Sequence, residues 1–81
     1  MAFTPDLVVD FMDMTDDRRL ITRVADARVG YQPIVGSYAV VGDADADPKV
    51  ARILTIDERG IIDLEVLPGS VEAHRDLLAP A

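Results

Sequence analysis

Between Lys49 and Pro68 the chain alternates its side chains with a period of two. Val50, Arg52, Leu54 and Ile56 fall on one side, and Ala51, Ile53, Thr55 and Asp57 on the other. That period belongs to extended backbone. Asp57-Glu58-Arg59-Gly60 then supplies turn residues, with Gly60 suited to a positive φ. A second run follows, with Ile62, Leu64 and Val66 on one face and Asp63 and Glu65 on the other. Two β-branched runs about a glycine-containing turn predict a β-hairpin. Pro68 ends it, because proline cannot donate to a strand ladder.

Upstream, Ser37-Tyr38-Ala39-Val40-Val41 reads as another strand set between Gly36 and Gly42, and Pro33 closes the connection that precedes it. The stretch from Gly42 to Pro48 has the composition of a polar loop. The first third supports two readings. Thr4-Pro5-Asp6 resembles a helix start, and Leu7, Val8, Phe11 and Met14 fit a helical stripe. Yet Leu7, Val9 and Phe11 also alternate, and Thr15-Asp16-Asp17 makes a hairpin tip. Leu20, Thr22 and Val24 would then line one face of a return strand. The hairpin over residues 4–28 is favoured, since it adds two strands to a sheet that otherwise has three.

From Gly69 to Leu78 a short helix is expected, with Ser70 as N-cap and Glu72 in its first turn. Val71 and Leu78, with His74 or Leu77, would lay its apolar edge on the sheet. The expected fold class is mainly β. It is a small SH3-like barrel or bent antiparallel sheet of about five strands with a short C-terminal helix, all in one domain over residues 1–81.

Composition narrows how such a fold is held. The chain has 81 residues, 49% of them hydrophobic, enough for one small core. It has no cysteine and one histidine, which excludes disulfides, thiolate zinc sites and multi-histidine metal sites. Packing or self-association must supply the stability, so a homodimer is one expectation. Residues 1–6 lack the basic and long apolar regions of a secretory signal, and no apolar run is long enough to span a bilayer. The expected location is the cytoplasm.

A net charge of −7 argues against nucleic acid and against anionic membrane surfaces as partners. The charge is uneven. Residues 1–17 carry five aspartates and no base, whereas residues 18–28 carry Arg18, Arg19, Arg23 and Arg28 against Asp26. Such neighbouring stretches are expected to pair across a turn. Lys49 is the only lysine, and aspartate outnumbers glutamate twelve to three, a bias of GC-rich codons.

The residues that carry chemistry elsewhere are poorly placed for it here. Asp43, Asp45 and Asp47 have the spacing of the first ligands of an EF-hand loop. Pro48 stands where the hinge glycine belongs and Leu54 where the bidentate glutamate belongs. Asp10, Asp13, Asp16 and Asp17 sit beside arginines on an expected turn, where exposed carboxylates do no acid–base work. His74 has no serine, cysteine or carboxylate partner at triad spacing. With no tryptophan, two tyrosines and two phenylalanines, the chain lacks the aromatic lining of a polyproline groove or a base-stacking platform. Tyr38 is expected inside the barrel and Tyr31 half-exposed.

The tract Val41-Gly-Asp-Ala-Asp-Ala-Asp-Pro-Lys-Val-Ala-Arg-Ile-Leu-Thr-Ile-Asp-Glu-Arg-Gly-Ile-Ile-Asp-Leu-Glu-Val-Leu-Pro-Gly69 resembles short uncharacterised proteins of actinobacteria. So does Met12-Asp-Met-Thr-Asp-Asp-Arg-Arg-Leu20. The resemblance implies a small stand-alone bacterial protein and carries over no catalytic, cofactor-binding or metal-binding residue. The expectation is therefore a non-catalytic interaction module that docks on a protein partner or on itself. The alternative is a weak divalent-metal or small-ligand binder using the Asp43–Asp47 loop.

Overall fold

The computed structural model describes residues 5–43 and 46–78. Its five strands are β1 (Leu7–Val8), β2 (Arg19–Arg23), β3 (Tyr38–Gly42), β4 (Lys49–Ile56) and β5 (Ile61–Val66). They form one sheet in the order β1-β3-β4-β5-β2, curled into a half-barrel. Glu72–His74 forms a 3-10 turn that runs into a single helical turn, α1 (Arg75–Leu78). The mainly-β expectation holds, with one change. The sheet is mixed, because β1 runs parallel to β3 while every other pair is antiparallel.

The β4–β5 hairpin forms where the alternation places it, with Ala51 opposite Val66 and Ile53 opposite Leu64. A bulge between Ile53 and Thr55 then leaves Leu54 as an extra residue. Ile56 consequently turns to the same side as Ile53 and packs at the margin of the core, which strict alternation would not allow. On the concave face Leu7, Val9, Leu20, Ala39, Val41, Ala51, Ile53, Ile62, Leu64 and Val66 make the main core. Fully burying one of these valine, leucine or isoleucine side chains is worth about 1.5–3 kcal/mol.

The opposite face carries a second, smaller cluster of Val40, Val50 and Val71, with Tyr38, Leu67 and Leu78 against it. This explains why β3 is buried on both sides: Ala39 and Val41 meet the main core and Val40 meets the helix. Val71 and Leu78 dock as the sequence suggests, whereas Leu77 stays exposed. The Ser70 Oγ accepts the Ala73 N–H at 3.2 Å and starts the turn. Tyr31 is half-exposed as expected, whereas Tyr38 is not inside the barrel. Tyr38 lies on the outer face beside the helix, and Tyr31 packs against the main core.

The first third is neither the continuous hairpin nor the helix. Leu7, Val9 and Phe11 do point inward, so the period of two is correct for the faces. The partner differs: β1 pairs with β3, and β2 pairs with β5. The Asp10 side chain accepts the Met12 N–H at 2.9 Å and initiates a 3-10 turn over Phe11–Asp13, which lifts the chain off β2. Only the tip closes as a hairpin, at Thr15 and Arg19. Lower down, the buried Thr22 donates its hydroxyl to the Val8 carbonyl at 2.7 Å and draws β1 toward β2. Thr4 of the expected helix start lies outside the described residues.

Candidate functional site

The two outer strands of the sheet meet different surroundings. Along β1 the edge is covered. Leu7 bridges to Ala27, the Arg28 N–H donates to the Asp6 carbonyl at 2.8 Å, and the Arg28 guanidinium holds the Asp6 carboxylate at 2.9 Å. The other Asp6 oxygen accepts the Val40 N–H at 3.0 Å, extending the pairing with β3 by a side chain.

Along β2 the edge is only half covered. Val66 donates to the Arg18 carbonyl and Val24 to the Gly60 carbonyl, which sets the phase of the β2–β5 ladder. In that phase Leu20 and Thr22 turn their backbone groups toward β5, and Arg19, Ile21 and Arg23 turn theirs outward. The Arg19 pair is taken by Thr15, whose N–H donates to the Arg19 carbonyl and whose hydroxyl accepts the Arg19 N–H. The outward N–H and C=O of Ile21 and of Arg23 have no partner among the described residues.

These groups open into a cleft of about 530 Å³ bounded by Val8, Asp10, Asp13, Ile21, Arg23 and Asp26. A smaller hollow of about 320 Å³ continues past Asp13 and Ile21 to Arg19 and Asp63. Two apolar side chains stand exposed at this place, Ile21 at 63% and Val8 at 53%. The cleft thus joins unpaired strand backbone and apolar surface, and Asp10, Asp13, Asp26 and Arg23 are among its lining residues. It can pair with extended backbone.

The residues singled out from the sequence are mostly occupied elsewhere. The Asp43 carboxylate accepts the Ala46 N–H at 2.8 Å, as a turn cap does. Asp47 is exposed and Asp45 lies outside the described residues. Among the described residues no three histidine, cysteine or carboxylate side chains are grouped to hold a metal ion. Asp10 and Asp13 do meet at the cleft, but Asp17 sits at the turn, where the Thr15 hydroxyl donates to it. That bond holds the Asp17 carboxyl below the usual aspartate range.

The arginines follow the expected pairing in one case of four. Arg28 meets Asp6, whereas Arg18 donates to the Val66 and Leu67 carbonyls at 2.8 and 3.2 Å, and Arg19 and Arg23 make no ion pair among the described residues. His74 is tied to its own connection, its Nε2 donating to the Pro68 carbonyl at 2.6 Å. Burial of Tyr31 pushes its phenol above the ordinary tyrosine value.

Ile21, Val8 and Asp26 were not among the sequence candidates. One signal for Ile21 was present: it is apolar at a position out of phase with Leu20 and Thr22, between two arginines. A second apolar patch lies in the connection to β3, where Val29, Ile34 and Val35 are exposed at 95%, 62% and 55%. No helix among the described residues is long and apolar enough to cross a membrane. Comparison with protein-family models, with curated proteins and with solved structures finds no match to this chain.

Proposed function

We propose that this protein is a non-catalytic protein-interaction module that docks an extended segment on the open edge of β2. The observation behind this reading is the unpaired backbone of Ile21 and Arg23 beside the exposed Ile21 and Val8 side chains. Unpaired strand edges template pairing with another chain, and main-chain hydrogen bonds then supply affinity while side-chain contacts supply selectivity. The covered β1 edge marks β2 as the side on which a strand can be added.

Panning an unbiased peptide display library on the immobilised protein tests this, with binding mapped by amide NMR. Enriched peptides should shift Val8, Asp10 and Ile21–Asp26. They should lose binding to an Ile21→Pro variant, which removes the outward N–H and leaves the β5 ladder intact. No enrichment over a blank surface, or enriched peptides that map to Val29, Ile34 and Val35, would rule out this edge as the interaction site.

A further inference from the structure

The charge around the β2 edge narrows what can lie on it, given the docking role proposed above. A strand added beside β2 continues its pleat, so its side chains alternate between the two faces of the sheet. On the outer face they flank Arg19, Ile21 and Arg23, all exposed. On the inner face they project where Leu20 and Thr22 point. The cleft beside this edge is lined by Asp10, Asp13 and Asp26 together with Val8, Ile21 and Arg23. The residue opposite Ile21 therefore meets the exposed Ile21 side chain, and the added strand as a whole lies beside three carboxylates.

We infer that the preferred occupant is a cationic extended segment that sets an apolar residue against Ile21. Three carboxylates and one guanidinium bound the cleft, and the whole chain carries −7, so a basic segment gains both at contact and in approach. A second copy of this chain is a poorer occupant. Antiparallel self-pairing centred on Ile21 would set Arg19 of one copy against Arg23 of the other, and like charges directly opposite each other disfavour a strand pair.

The test uses three capped heptapeptides titrated into the full chain and followed by amide NMR: Ser-Thr-Lys-Val-Lys-Thr-Ser, the same peptide with both lysines replaced by glutamate, and the lysine peptide N-methylated at valine. The lysine peptide should bind in roughly the millimolar range, as expected for so few contacts, and shift Asp10, Asp13 and Ile21–Asp26. The N-methyl peptide should not bind, because it cannot complete the pairing with Ile21. Replacing Asp10, Asp13 and Asp26 together by asparagine, which retains the Asp10 cap, should weaken the lysine peptide at least about fivefold. Raising the salt should weaken it in the same direction.

Equal or tighter binding of the glutamate peptide overturns the cationic assignment. So does unchanged affinity in the triple variant, or shifts confined to Val29, Ile34 and Val35. Concentration-dependent shifts at Ile21 in the protein alone would replace the peptide by a second copy. If library panning yields peptides that use the β2 edge but lack basic residues, the docking role stands and the cationic inference falls. If neither panned nor synthetic peptides bind, both fall.

Discussion

Two turns of this protein have the same backbone and different residues at their critical position. In Thr15–Arg19 the Arg18 N–H donates to the Thr15 carbonyl and the Thr15 N–H to the Arg19 carbonyl. In Asp57–Ile61 the Gly60 N–H donates to the Asp57 carbonyl and the Asp57 N–H to the Ile61 carbonyl. Both are three-residue hairpin loops whose last residue is left-handed, with φ of 65° at Arg18 and 81° at Gly60. Glycine adopts that conformation freely, and another L-residue is penalised by roughly 1–2 kcal/mol.

The difference lies in what each turn leaves unpaired on the strand beside it. By bending its N–H into the turn, the left-handed residue withdraws a donor from the β2–β5 ladder. At one end this would strand the Val24 carbonyl, which instead accepts the Ala27 N–H at 3.0 Å. At the other it would strand the Val66 carbonyl, and the Arg18 Nε takes the missing place at 2.8 Å while its Nη2 reaches Leu67. Glycine suffices where the chain supplies another donor. Where it does not, a long cationic side chain replaces the donor and offsets the strained φ. That arginine is consequently spent on carbonyls rather than on the aspartates beside it.

The largest effect is expected at Arg18→Ala, which keeps the strained φ and removes both bonds from a charged donor. A half-buried pair of this kind is worth about 2–3 kcal/mol, read as a lower urea midpoint. Arg18→Lys should recover only part of that, because an ammonium cannot reproduce the fork that reaches two carbonyls. Full stability in Arg18→Ala would show that water satisfies Val66 and Leu67 equally well.

Gly60→Ala should come next, at about 1–2 kcal/mol. A Cβ there would meet the Val24 side chain at 3.6 Å, an ordinary contact, so the loss is conformational and not steric. Arg18→Gly should be milder, near 1 kcal/mol, since strain relief partly offsets the lost guanidinium. The ranking is the informative result. If Arg18→Gly is as damaging as Arg18→Ala, the φ of 65° carries no strain.

The same comparison shows what can be read in the sequence. Gly60 announces its turn, and the runs around it fix the faces of β4 as far as the bulge at Leu54 and those of β5 down to the buried Ile62, Leu64 and Val66. Arg18 announces nothing, because its role depends on Val66, far along the chain, turning an unpaired carbonyl toward it. The same holds for β1, where alternation places Leu7 and Val9 inward and says nothing of whether β2 or β3 is the neighbour. Face is local information, and pairing is not. The candidate cleft was the least readable feature. Its unpaired groups are backbone, and they exist only because the 3-10 turn over Phe11–Asp13 leaves the β2 edge open.

The smallest predicted effect concerns the side chains that brace the two turns. Asp57 Oδ1 accepts the N–H groups of Arg59 and Ile61 at 2.8 and 2.9 Å, bracing its turn with one carboxylate. In the other turn that work is divided, as the Thr15 hydroxyl accepts from Arg19 and donates to Asp17. The donation stabilises ionised Asp17 and lowers its pKa. A carboxyl lowered on folding adds stability that is present above its unfolded value and fades as pH falls through its folded value. Thr15→Val should therefore return the Asp17 titration, followed by carboxyl carbon NMR, upward toward the ordinary aspartate range. The stability difference between variant and parent should narrow on acidification. An unmoved Asp17 titration would mean that the Arg19 guanidinium nearby, and not the hydroxyl, sets the charge of this turn.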